Sequence, residues 1–181
     1  MDDLSLHILD IAENSINAGA KNIDIKILED TKQDLLMIEI KDDGKGMDKE
    51  ILEEVTNPFV TTRTTRKVGL GIPLLKLAAE NCDGGLEIKS EKGKGTTVSV
   101  TFKLSHIDRQ PLGDIIGTII SLLANENKVD IVFSHKKDGN IFEFDSKDFK
   151  AALKDLGVEE SSFISIANKY LKKNYNNFKL N

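Results

Sequence analysis

Asp10 and Asn14 stand four residues apart in Leu9-Asp10-Ile11-Ala12-Glu13-Asn14, a spacing that puts both on one face of a helix. A carboxylate there can orient a water or hydroxyl nucleophile, and an amide oxygen can complete the octahedral shell of a Mg²⁺ held by phosphates. Polar pairs at this spacing are also common on solvated helix faces. Asp42-Asp43-Gly44-Lys45-Gly46-Met47 closes an apolar run. An aspartate at the carboxyl end of a strand can accept from an adenine amino group while glycines let the backbone approach the ring, and a type I′ turn reads equally well. Gly69-Leu70-Gly71 opens a helix, where free N–H groups and the helix dipole favour phosphate. No G-x-x-x-x-G-K-[ST] is present, and Leu74 stands where a dinucleotide fingerprint has its third glycine. Gly84-Gly85 and Gly93-Lys94-Gly95-Thr96 complete the set, reading by themselves as a Gly-rich hairpin.

The elements that must position these residues follow from periodicity. Leu4, Ile8, Ile11 and Ser15 recur at helical spacing over Leu4 to Ala18, and Gly19 supplies a stop. Ile23-Asp24-Ile25-Lys26-Ile27 alternates strictly and predicts a half-buried strand, with a second strand over Leu36 to Ile40. A short helix is expected over 48–56, a polar threonine-rich loop over 57–68, and a helix from Gly69 to the Asp83-Gly84-Gly85 break, with Pro73 in its first turn. Strands over 86–90 and 97–103 follow. The order α-β-β-α-α-β-β predicts an α+β fold, a two-layer α/β sandwich of a mixed sheet with helices on one face. After Leu104 we expect an apolar helix over 111–124, a hairpin of strands 129–134 and 140–145 across Asp138-Gly139, and helices near 147–156 and 161–173. The expected division is therefore residues 1–104 and a small α/β extension or domain over 105–181.

Composition narrows the class. The sequence is 39% hydrophobic and 30% charged, ordinary for a soluble globular protein. A net charge of -5 argues against a nucleic-acid binder, and one cysteine, Cys82, excludes an internal disulfide framework. With no signal-like start and no apolar run of spanning length, a cytoplasmic, membrane-free location is expected.

In this order, the segments closely resemble the N box, first glycine box, F box, second glycine box and closing G-T-T segment of histidine-kinase-like ATPases, the Bergerat fold. The resemblance covers about residues 5–103. Pro58-Phe59-Val60-Thr61-Thr62-Arg63 is similar to the P-F-[FY]-T-T-K of sensor kinases, and Val68-Gly69-Leu70-Gly71-Ile72 to their T-G-L-G-L. Glu13-Asn14-Ser15-Ile16-Asn17-Ala18-Gly19-Ala20 is closer to the E-N-S-x-D-A-G-A of mismatch-repair ATPases. The resemblance implies ATP and Mg²⁺ as cofactors, with Asn14 as the metal ligand. It implies that Asp42 and Thr96 read adenine, that Gly44, Gly46 and Met47 shape the pocket, and that Gly69, Leu70 and Gly71 meet the phosphates. Residues 57–68, including Thr61, Thr62, Arg63, Lys67 and Val68, become an ATP lid. Asp10 takes the catalytic place where hydrolysing members carry glutamate. Losing one methylene retracts the carboxylate by about 1.5 Å, and a misplacement of about 1 Å can cost ~100-fold in rate.

Function divides two ways. A self-contained sensor kinase needs a phosphoacceptor histidine on a helix pair before the ATP domain, and only nine residues precede Asp10, so none is expected. Gyrase-type members need a long transducer, for which 105–181 is short. What is left is a kinase-like signalling protein acting on a separate protein partner, with a homodimer open, or an ATP-responsive binding switch with little turnover. Ser105-His106-Ile107-Asp108-Arg109-Gln110-Pro111-Leu112 has a distant likeness to the phosphoacceptor S-H-E-L-R-T-P-L. Ile107 replaces the acidic neighbour there and the order of motifs is inverted, so we read it as a linker before a capped helix. His7 is read as packing or capping, and His135 as structural.

Overall fold

The computed structural model describes residues 3–56, 71–126 and 128–180. Helix α1 spans Leu4–Asn17, capped by the Asp3 carboxylate, which accepts from the Leu6 N–H. Strands β1 (Asn22–Asp30) and β2 (Leu35–Asp42) follow, then helices α2 (Lys49–Thr56) and α3 (Gly71–Glu80), then strands β3 (Gly85–Glu91) and β4 (Gly95–Lys103). The α-β-β-α-α-β-β order expected from periodicity is the order found. The expected lid, 57–68, lies outside the described residues, as do Gly69 and Leu70.

Beyond Leu104 come α4 (Ile115–Leu123), β5 (Asp130–Lys137), β6 (Asn140–Asp145), α5 (Ser146–Asp155) and α6 (Phe163–Leu180). Most boundaries shift by three residues or fewer from those predicted, and two shift further. Helix α4 begins at Ile115 rather than 111 because Gly113 has φ 76° and the Asp114 carboxylate caps the Gly117 N–H. The last helix runs to Leu180 because Leu171, Tyr175 and Phe178 continue its buried stripe. The Asp138-Gly139 turn has φ 47° and 95°, the paired positive angles that the twist of a two-residue hairpin requires.

Among the described residues, six strands form one sheet in the order β3-β4-β2-β1-β5-β6. All neighbours are antiparallel except β1 and β5, whose parallel register pairs Ile25 with Phe133 and makes the sheet mixed. The C-terminal segment therefore extends the N-terminal sheet. Alternation decides the faces. Ile23, Ile25 and Ile27 of β1, Leu36, Ile38 and Ile40 of β2, and Val98, Val100 and Phe102 of β4 are buried. They join a core with Leu4, Ile8 and Ile11 of α1, Leu75 of α3 and Ile115 and Ile119 of α4. The intervening β1 positions carry charge: Lys26 pairs with Asp24 at 3.2 Å and Glu39 at 3.4 Å, partly exposed contacts of small energetic weight.

Candidate nucleotide-binding site

The site is built where α1, the end of β2 and the start of β4 meet. Asp42 is the last residue of β2, and the antiparallel register sets it directly opposite Thr96. The two residues assigned to adenine are therefore cross-strand neighbours, although 54 positions separate them in sequence. Asp42 is 7% exposed and its carboxylate is held by fixed donors. The Gly44 N–H donates to Oδ1 at 2.8 Å, and the Thr96 N–H reaches the same oxygen at 3.2 Å. The Ser15 hydroxyl donates to Oδ2 at 2.6 Å. A carboxylate offers about four lone-pair directions, so these three bonds orient the group and leave Oδ2 able to accept once more. That geometry suits an amino group entering from the pocket.

Ser15 is the neighbour of Asp42 to which sequence reasoning gave no part in the site. It occupies the apolar stripe of α1 with Leu4, Ile8 and Ile11 and is 4% exposed. A hydroxyl at an inward stripe position must find a buried acceptor, and that was the available signal.

Glycine is required where the loops close in. At Gly46, φ 63°, an added Cβ would stand 2.0 Å from the Glu91 carbonyl oxygen. At Gly95, φ 97°, it would stand 2.0 Å from the Asp42 carbonyl oxygen. Both the positive angle and the contact exclude a side chain. Around them the Met47 N–H donates to Ser90 Oγ at 2.9 Å, the same oxygen meets Thr96 Oγ1 at 3.0 Å, and the Gly93 N–H donates to the Lys45 carbonyl at 2.7 Å. The loop after β2 is thus fastened to the β3–β4 hairpin. The neighbouring Asp43 points elsewhere, and its carboxylate accepts from the Lys21 and Asn22 N–H groups, pinning the entry to β1.

On α1, Asn14 is exposed and Asp10 is half-buried, on the side away from the apolar stripe. Asp10 Oδ2 would stand 1.7 Å from a Cβ at Gly71, so the carboxylate is packed directly on the first residue of α3. Oδ2 is inaccessible there and meets no hydrogen-bond partner among the described residues. Asn14, Asp42, Gly44, Gly46, Met47, Thr96, Asp10 and Gly71 thus all have described positions. Thr61, Thr62, Arg63, Lys67, Val68, Gly69 and Leu70 lie outside the described residues.

The sequence profile of the family described as histidine kinase-, DNA gyrase B-, and HSP90-like ATPase matches residues 2–106, more than half of the chain. This chain belongs to that family. Its relatives include a non-motile and phage-resistance protein of Caulobacter vibrioides, 32% identical over 60% of this chain and 14% of that protein. Sporulation kinase C of Bacillus subtilis is 33% identical over 53% of this chain and 22% of that one. The chain therefore spans a small part of the length of these relatives. A solved structure titled as the N-terminal domain of a DNA repair protein has the same fold, with a TM-score of 0.50 at 16% identity over 79% of this chain and 52% of that chain. The histidine-kinase-like ATPase domain is an ATP-binding one, and the α+β Bergerat architecture is the one described above. No helix among the described residues is long and apolar enough to cross a membrane.

Of the three histidines, His135 and His106 have structural surroundings. His135 Nδ1 meets the Tyr175 hydroxyl at 2.8 Å and Nε2 meets Glu29 Oε1 at 2.9 Å. His106 accepts from the Asp108 N–H in a turn next to Ser105, which is bound to Asp34.

Proposed function

We propose that the chain binds ATP with Mg²⁺ in the pocket above Asp42 and uses it in signalling, by phosphorylating or regulating a separate protein partner. Residues 1–104 would carry the site and 105–181 would brace it through the parallel β1–β5 pairing. The observation that carries the proposal is the Asp42 carboxylate, buried, oriented by three donors and holding one acceptor direction in reserve. Asn14, exposed on α1, is suited to supply an amide oxygen to the metal. Among the described residues no three acidic, histidine or cysteine side chains converge, which fits an ion carried mainly by phosphate oxygens. The metal would neutralise phosphate charge when bound. The start of α3 offers N–H groups to the phosphates, and Asp10, packed on that same start, is suited to accept the proton of an attacking hydroxyl or water.

A second reading, an ATP-responsive binding switch with little turnover, is favoured by the short carboxylate at position 10. Single-turnover assays with radiolabelled ATP, run on wild type and on Asp10→Glu, separate the two. Turnover in the wild type that is abolished in Asp10→Asn supports the enzyme. A wild type without turnover, beside a Glu variant that gains it, supports the switch. Binding itself is tested by calorimetry with and without Mg²⁺, and no heat with either would end the proposal.

A further inference from the structure

The two edges of the sheet are guarded differently. Edge strand β3 carries Lys89, paired with Glu87 at 3.1 Å, and helices α2 and α3 pack beside it. The other edge is β6, Asn140-Ile141-Phe142-Glu143-Phe144-Asp145. It has no lysine and no proline, and its register with β5 runs without a bulge. Those are the common devices that stop a strand edge from pairing further.

The free groups of that edge can be assigned. At both ends of β5 the even positions turn toward β1: the Asp130 N–H donates to the Lys21 carbonyl and the Asp138 N–H to the Glu29 carbonyl. The odd positions therefore face β6, where Phe133 lies opposite Phe144 and His135 opposite Phe142. An antiparallel ladder alternates bonded and non-bonded pairs. Ile141 and Glu143 accordingly turn their N–H and C=O groups away from β5, and no strand meets them among the described residues.

A groove runs beside these groups. One hollow of about 570 Å³ reaches from Asp24 and Val132 to Asp148, and a second of about 390 Å³ from Ile141 to Asn174. Glu143 and Tyr170 line both, which makes the two continuous. Val132, Ile141 and Tyr170 are exposed apolar surface gathered in one place. The charge is one-sided. Lys26 faces the carboxylates of Asp24, Glu143, Asp145 and Asp148, and it is already engaged by Asp24 and Glu39. Asp145 caps α5. Glu143 and Asp148 are exposed and free of ion pairs among the described residues, and Asp24 Oδ1 has no hydrogen-bond partner there. A second copy would set like charge against like charge along this edge.

We propose that β6 and its groove dock an extended, lysine- or arginine-rich segment of a partner protein, added as a further strand along Ile141 and Glu143. Backbone bonds to the free edge hold the segment, and its alternate side chains select it by reaching Glu143 and Asp148. Their aliphatic stems lie over Val132 and Tyr170. Strand β6 stands three places from β2 in the sheet, so the docking edge is separate from the nucleotide pocket and does not rest on it.

The probe is a capped peptide of alternating lysine and valine, about six residues long, titrated by fluorescence anisotropy onto the full chain without nucleotide. It is expected to bind, with a glutamate–valine counterpart at least about 10-fold weaker. Amide exchange followed by NMR should slow at Ile141 and Glu143 on binding and stay unchanged in β3. Ile141→Pro removes one outward N–H and leaves the ladder to β5 intact, and it should weaken the lysine peptide roughly 5- to 10-fold. Glu143→Lys should weaken it by about 10-fold or more. A lysine peptide N-methylated throughout cannot pair as a strand and tests the edge without altering the protein. Equal binding of that peptide, equal binding of the glutamate peptide, no binding of the lysine peptide, or binding without protection of the two amides would each overturn the proposal. So would sedimentation showing a dimer of the chain that Ile141→Pro turns into monomer, which would give the edge to a second copy.

Discussion

The two ends of β1 handle buried polar groups in opposite ways. At its start, next to Asn22, the Asp42 carboxylate accepts three bonds and keeps a direction unused. At its far end, Glu29, His135 and Tyr175 form a closed chain in which both imidazole nitrogens are engaged. Aromatic rings wall in that second cluster: Phe178 lies 5.0 Å and Tyr175 5.7 Å, centre to centre, from His135. The closed chain joins β1, β5 and α6, and its central imidazole has both nitrogens engaged inside it. The open one is oriented but incomplete. Burial and titratable chemistry are common to both ends; what differs is the centre, a saturated imidazole at one and a carboxylate with a spare acceptor direction at the other.

The contrast can be broken at either end. The largest effect is expected from Asp42→Asn, which replaces an acceptor oxygen with an amide and forfeits a charged hydrogen bond of about 1.5–3 kcal/mol. ATP affinity should fall by roughly 10- to 150-fold in calorimetry, and equal affinity would remove the adenine assignment. His135→Phe should do the reverse, lowering unfolding free energy by about 1–3 kcal/mol through stranded partners while ATP affinity stays within about two-fold. If affinity fell in step with stability, the two ends would not be independent.

Acid should expose the closed end next. The His135 hydrogen bond, ahead of its charge and those of Lys137 and Arg109, holds the Glu29 carboxyl below its ordinary value. Its stabilising contribution is complete above about pH 4.3, the unfolded value, and fades as pH falls through the lower folded value. Denaturation midpoints should drop more steeply in that acidic range for wild type than for Glu29→Gln. The smallest effect sharpens the open end. Ser15→Ala removes one orienting donor, about 1 kcal/mol, and should weaken ATP several-fold with the enthalpy of binding reduced. An unchanged affinity would mean that Gly44 and Thr96 alone orient Asp42.

Much of this organisation is legible in the sequence. The alternation of Ile23, Ile25 and Ile27 and the turn chemistry of Asp138-Gly139 are local signals, and local periodicity reports them directly. The parallel register of β1 with β5 is not local. Nothing in Asp130–Lys137 distinguishes a strand that extends the first sheet from one that starts another, because side-chain alternation is the same in both. The Glu29–His135–Tyr175 chain is hidden for the same reason, its members lying 106 and 40 positions apart. Periodicity starts α4 too early because Leu112 fits the apolar stripe, while Asp114 outranks it as a cap.

Strand β1 leaves the ribosome long before its parallel neighbour β5 exists. During that interval the outer row of β1 backbone groups has no partner, beside a face carrying Ile23, Ile25 and Ile27. An unpaired apolar edge is a template for the strands of other chains. Residues 130–137 therefore act as an edge guard, delivered late. Their loss by premature termination or proteolysis would first be felt as association of nascent chains into aggregates, with the nucleotide pocket sequence intact in every one of them.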